Sequence, residues 1–209
     1  MKIKKAVLAA LLASGMLTGC LGRGGSTTLN EESSRIFVTE EGVFQTVTVE
    51  AYADQDYYRA EELKTYLEQA ASAYNEAHEQ GAVALDSCNL ENGSAKMIFR
   101  YSSGEALAGF VSQYEDKANQ VDSIFVAPLS KVLSQSQSEG VAFLKASDGK
   151  EADGKALLNK GESHAVVVET QTPVTLQTQG KLLFVSDNAA VKDHYTVQLT
   201  QGKSYIIFK

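Results

Sequence analysis

The sequence predicts an α+β fold: a βαββαβ order, that of ferredoxin-like units, in the N-terminal half, followed by an antiparallel β-meander. Three observations carry this. Two helical periodicities, over residues 63–77 and 102–114, alternate with β-branched and aromatic runs up to residue 127. An Asn92-Gly93 pair sits between two such runs and supplies the positive φ angles of a two-residue type I′ hairpin. From residue 141 onward, short strand-like runs separated by turn residues replace the helical pattern.

Ordered structure is expected from about Ile36. Residues 43–52 (VFQTVTVEAY) are rich in β-branched and aromatic side chains and read as a strand. Asp54 and Asp56 lead into a helix in which Leu63, Leu67, Ala70, Tyr74 and Ala77 share one face. Glu61 and Glu62 suit the positive end of its dipole, and Gly81 ends it. Counting outward from Asn92-Gly93, Leu90 opposes Ala95, Cys88 opposes Met97 and Asp86 opposes Phe99. The face carrying Cys88, Leu90, Met97, Phe99 and Tyr101 is apolar and should meet the core. Ser102-Ser103-Gly104-Glu105 has capping-box spacing, with Ser102 as N-cap and Glu105 reaching back. Leu107, Phe110, Val111 and Tyr114 form the stripe of that second helix. Residues 121–127 are a strand closed by Pro128, and the Ser- and Gln-rich residues 129–139 read as a short helical turn plus loop.

Six further strands are expected, at residues 141–146, 164–170, 174–178, 181–186, 195–200 and 205–208. The tetrapeptide Thr178-Gln179-Gly180-Lys181 recurs as Thr200-Gln201-Gly202-Lys203, which reads as two hairpins closed by similar glycine turns. The chain therefore divides into an α+β half (36–127), a connector (128–140) and a β-rich half (141–209).

The 209 residues are 44% hydrophobic and 22% charged, the balance of a globular protein. The formal net charge is −7, so nucleic acid and anionic headgroups repel the body of the chain. No nucleic-acid partner is expected.

The N-terminus is of a different kind. Lys2, Lys4 and Lys5 precede an uncharged apolar run over residues 6–16, and Leu17-Thr18-Gly19-Cys20 follows. Charge and apolar run are those of a secretory signal peptide. The run is too short for a membrane-spanning helix, which needs roughly 20 apolar residues. Leu17-Thr18-Gly19-Cys20 resembles the lipobox of bacterial lipoprotein precursors at all four positions. The resemblance implies a signal peptide over residues 1–19, cleavage before Cys20, and a diacylglycerol on the Cys20 thiol that anchors the protein outside the cytoplasm on the cell membrane. Two acyl chains hold a protein stably where one is marginal. Loss of the three leader lysines would make the formal charge −10. Residues 20–35, rich in Gly, Ser, Thr and Asn, read as a flexible tether. About 20 such residues span roughly 25 Å r.m.s..

Lipidation of Cys20 leaves Cys88, the second of two cysteines, without a disulfide partner. HExxH, GxSxG, paired CxxC, P-loop and GxGxxG patterns are absent from the sequence. Cys88 with His164 or His194 has the residue types of a nucleophile and base, but the hairpin register makes Cys88 a core filler. His164 and His194 read as surface or strand-edge residues. Asp148, Glu151 and Asp153 match only fragments of a calcium loop and read as a solvated turn. No metal or cofactor is expected. The candidate ligand site is Tyr52, Asp54, Asp56, Tyr57 and Tyr58, aromatics beside carboxylates that suit a sugar or a cationic peptide. Absence of Trp weakens the glycan idea, and nine tyrosines keep it alive.

The functional expectation is a membrane-anchored extracytoplasmic lipoprotein, a non-catalytic envelope binding or interaction module. Its partners would be the membrane, through Cys20, and an envelope protein or glycan. The alternative is an anchored envelope hydrolase with an unrecognised carboxylate or Cys/His site. A two-lobed solute receptor needs a longer chain.

Overall fold

The computed structural model describes residues 26–52, 60–160 and 162–209. The first half contains β1 (Arg35–Val38), β2 (Phe44–Ala51), α1 (Ala60–Ala77), β3 (Val83–Glu91), β4 (Ser94–Tyr101), α2 (Gly104–Gln113) and β5 (Ser123–Pro128). Then come α3 (Leu129–Ser138), β6 (Phe143–Lys145), α4 (Gly154–Leu158), β7 (His164–Thr170), β8 (Val174–Thr178), β9 (Leu182–Ser186), β10 (Ala189–Val191), β11 (Thr196–Leu199) and β12 (Gly202–Phe208). The class is α+β, with helices and strands mixed in the first half and strands dominating the second.

Two mostly antiparallel sheets hold these strands. The larger has the order β10-β11-β8-β1-β2-β4-β3 and the smaller β5-β7-β12-β9-β6. The run β2-α1-β3-β4-α2-β5 has the expected βαββαβ order, with β4 lying between β2 and β3. The fourth strand, β5, crosses to the smaller sheet. Its place beside β2 is taken by β1, which pairs antiparallel with β2 and parallel with β8. Strands from both halves of the chain thus share one sheet.

The two Thr-Gln-Gly-Lys turns do not close hairpins. Each carries the chain from the larger sheet to the smaller, β8 to β9 and β11 to β12. Within each sheet the pairing is between repeats, β8 with β11 and β9 with β12. Both sheets bury an apolar face, and a tight hairpin would leave one of those faces in water. Gly180 is needed at the first crossing, because a Cβ there would lie 2.5 Å from the Lys209 carbonyl carbon.

Alternation along the central strands serves two cores. Val166, Val168, Ile206 and Phe208 join the main cluster, with Ile36, Val38, Phe99, Leu107, Phe110 and Val111. Ala165, Val167, Tyr205 and Ile207 face the other way, onto Leu129, Val132 and Leu133 of α3 and Leu157 of α4. A sheet buried on both faces has no polar side, which is why β7 reads as a continuous apolar run.

Local expectations fare variously. On α1, Ala70 and Tyr74 are buried, Leu63 and Leu67 half-buried and Ala77 exposed. The hairpin register holds for Leu90–Ala95 and Cys88–Met97, then shifts between Leu85 and Ser87, so Phe99 faces Leu85 instead of Asp86. The bulge turns Asp86 outward, where it takes Arg100 at 2.8 Å and Gln45 at 3.1 Å. Cys88 is half-buried, less enclosed than expected of a core filler. The cap of α2 is Ser103, not Ser102: its hydroxyl accepts from Ala106 N–H at 3.1 Å. Ser102 N–H is already committed to Ala82 C=O, at the end of the β3–β4 ladder. Residues 129–138 form a full helix, because Leu129, Val132 and Leu133 give it a buried face. The short α4 and β10 carry too little pattern to be read from sequence.

Residues 26–34 touch the larger sheet on the face turned away from the main core. Gln177 clamps this segment: its amide donates to Thr28 C=O at 2.7 Å and its Oε1 accepts from Asn30 N–H at 2.9 Å. Thr27 N–H donates to Gln179 C=O at 2.8 Å, and Lys96 pairs with Glu31 at 3.2 Å.

Candidate functional site

Of the candidate ligand residues, Tyr52 is among those described. It follows β2, is half-buried, and its N–H donates to Gly93 C=O at 3.0 Å. It therefore sits beside the β3–β4 turn. Asp54, Asp56, Tyr57 and Tyr58 lie outside the described residues, as does Cys20.

The Cys/His candidates are far apart. Cys88 is on the edge strand β3 and His194 directly precedes β11, with β8, β1, β2 and β4 between them in the larger sheet. At about 4.8 Å per strand, the five steps from β11 to β3 amount to about 24 Å along the sheet. His194 is exposed, and its carbonyl accepts from Leu182 N–H at 2.9 Å. His164 opens β7 in the other sheet, its ring 5.9 Å from that of Phe208 and its Nδ1 buried without a partner. Burial pushes the Cys88 thiol above its ordinary value, with Lys64 opposing the shift. A nucleophilic thiol needs the reverse.

The acidic turn is occupied by structural work. Asp148 Oδ1 accepts from Lys150 N–H at 3.1 Å. Glu151 bridges Leu144 across the turn, and Asp153 caps α4 by accepting from Ala156 N–H at 2.7 Å. Among the described residues, no group of three or more His, Cys, Asp or Glu side chains is placed to hold a metal ion.

Three arrangements go beyond the expectations drawn from the sequence. The first is a groove of about 490 Å³ between α2 and β5, within the range of small-ligand sites. Glu105, Ser112, Gln120, Asp122 and Ser123 are among its walls, so its rim is polar and acidic. The second is a knot that ties the α2–β5 loop to β2. Asn119 Nδ2 donates to Val47 C=O at 3.2 Å, Thr48 Oγ1 at 2.9 Å and Asp116 Oδ2 at 2.8 Å. It holds one wall of the groove in place. The third is a surface cluster at the end of α3. Glu139 accepts from Lys203 at 2.7 Å and from Tyr205 at 2.5 Å, with Gln135 adding a bond at 3.1 Å.

No protein-family model matches this chain, and neither a curated protein nor a solved structure matches it. No described helix is long and apolar enough to cross a membrane.

Proposed function

We propose that the protein is a lipid-anchored extracytoplasmic lipoprotein whose ordered domain is a non-catalytic binding or interaction module of the cell envelope. The observation that carries this is the Leu17-Thr18-Gly19-Cys20 box placed directly behind a basic start and an uncharged apolar run. Two features of the domain support the non-catalytic part. The Cys88 thiol is shifted away from reactivity, and four strands of the larger sheet, β8, β1, β2 and β4, stand between it and His194. The groove between α2 and β5 is the binding surface in this reading. Glu105 and Asp122 on its walls suit a cationic segment of an envelope protein.

The test has two parts. Bacteria expressing the full chain are fed an alkyne fatty acid; the protein takes up the label, and Cys20→Ser abolishes both labelling and leader cleavage. The detergent-solubilised mature protein is then melted with basic peptides. A ligand at 100 times its Kd adds about 2.7 kcal/mol, a shift of roughly 5–10 °C for a chain of this size. Asp122→Asn removes the shift. Failure of the labelling refutes the anchor, and failure of the melting shift refutes the groove.

A further inference from the structure

The docking of residues 26–34 changes what a lipid on Cys20 would do to the domain. Were residues 20–35 free, the 15 residues beyond Cys20 could extend to about 50 Å, enough for any face to turn to the membrane. But Thr27 is already bonded to Gln179, and Gln177 clamps Thr28 and Asn30. Seven residue steps, through six intervening residues, then separate the lipidated residue from the first sheet contact. They reach about 25 Å when fully extended and about 15 Å r.m.s..

The leash ends at one corner of the fold. Gln179 N–H donates to Val38 C=O, and its side-chain Oε1 accepts from Glu40 N–H. Lys181 and Lys209 exchange both backbone hydrogen bonds beside it. In the larger sheet this is the end where Val38, Thr178, Phe44, Tyr101 and Val83 lie in register. The opposite end of the same sheet carries Ala51, Ser94 and Glu91, with the Asn92-Gly93 turn beyond them. The eight residues of β4 set these ends about 25 Å apart.

We infer that the Gln179–Lys181–Lys209 corner is the membrane-facing surface of the anchored protein, held against phospholipid headgroups, and that the β3–β4 turn with Tyr52 points away from the membrane. This rests on the lipid anchor at Cys20. The corner carries both signs of charge: Lys181 is exposed, Lys209 pairs with Glu162 at 3.1 Å, and the Glu40 carboxylate lies beside Gly180. Charge of both signs at this corner leaves the length of the leash to set the orientation.

The lipidated full mature chain, with Cys88→Ala as background, is reconstituted into phosphatidylcholine vesicles that contain a headgroup-nitroxide lipid. A fluorophore is placed at Lys181→Cys or at Glu91→Cys, both exposed positions. Quenching several-fold stronger at 181 than at 91 is expected. A 20-residue Gly/Ser insert between Gly24 and Gly25 lengthens the leash without touching the fold, and should bring the two values together. Equal quenching in the uninserted protein, or stronger quenching at 91, overturns the orientation. Asymmetry that survives the insert overturns the leash as its cause. Flotation with the vesicles is measured in parallel. Protein that floats without asymmetry refutes only the orientation. Protein that does not float and carries no acyl mass refutes the anchor, and the orientation with it.

Discussion

Tyr205 Oη lies 2.5 Å from Glu139 Oε2 and joins β12 to the end of α3 across 66 positions of sequence. The phenol ring is buried while the carboxylate sits at the surface. The bond therefore fixes the angle at which α3 leaves the smaller sheet.

That contact makes stability depend on acid. Hydrogen bonds from Lys203, then Tyr205, then Gln135 hold the Glu139 carboxyl down at about 2, against an ordinary 4.5. The folded value is below the unfolded one. The stabilisation is thus complete above about pH 4.5 and is lost as pH falls toward 2. Urea midpoints of the parent should drop between pH 5 and pH 2.5, and Glu139→Gln should flatten that window while changing little between pH 6 and pH 8. Parallel profiles for the two proteins would remove Glu139 from this account.

Gly104 and Gly154 each open a helix, and alanine should have opposite effects at the two. A Cβ on Gly104 would lie 1.7 Å from Ile124 C=O, a backbone atom that cannot swing aside. Gly104→Ala must push α2 off β5, at a cost of about 1–3 kcal/mol. Around Gly154 nothing lies within 4 Å. Gly154→Ala should be neutral or stabilise by about 0.4–1 kcal/mol, through the less flexible unfolded chain. Chemical denaturation of both variants decides this, and a Gly104→Ala protein as stable as its parent would contradict the packing.

Leu107 is fully buried in the main cluster, beside Phe110 and Val111. Leu107→Ala removes its methyl groups and leaves a cavity, which costs about 2–5 kcal/mol. At roughly 2–4 °C per kcal/mol for a chain this long, calorimetry should show a melting temperature lower by about 4–20 °C.

Cys88 should alkylate more slowly than free cysteine at pH 7.5. Burial raises its thiol, so less thiolate is present. The rate should climb with pH beyond the point where free cysteine levels off. Lys64→Ala should slow it further, since Lys64 is the charge that lowers the thiol's value. Iodoacetamide kinetics followed by mass spectrometry test both statements. Alkylation faster than free cysteine would revive the hydrolase reading.

Much of the first half was legible because its signals are local. Asn92-Gly93 sets a hairpin whose first pairs, Leu90–Ala95 and Cys88–Met97, follow by counting. The count fails at Asp86, where a bulge is stabilised by Arg100 and Gln45; Gln45 comes from β2, 41 positions away. The cap of α2 shifted by one residue for a similar reason. Ser102 looks equivalent to Ser103 until its N–H is seen to belong to the β3–β4 ladder. The groove between α2 and β5 was not legible: its lining residues all fall between positions 104 and 124, but the packing angle of the helix on the strand that opens it is not written in local periodicity.

The sequence by itself determined the α+β class, the βαββαβ order of residues 43–127 and the N-terminal box. Each of these is written in side-chain periodicity or in a few adjacent residues. Tertiary structure decided which sheet each strand enters. Thr178-Gln179-Gly180-Lys181 and Thr200-Gln201-Gly202-Lys203 are compatible with a hairpin or with a crossing between sheets, because a glycine turn specifies a reversal and not a partner. The choice falls to the crossing because β8 and β9 each bury an apolar face on opposite sides of one core. The same holds for residues 26–34, a polar stretch with no periodicity of its own. It is ordered by Gln177, a residue about 150 positions away whose side chain fits its backbone.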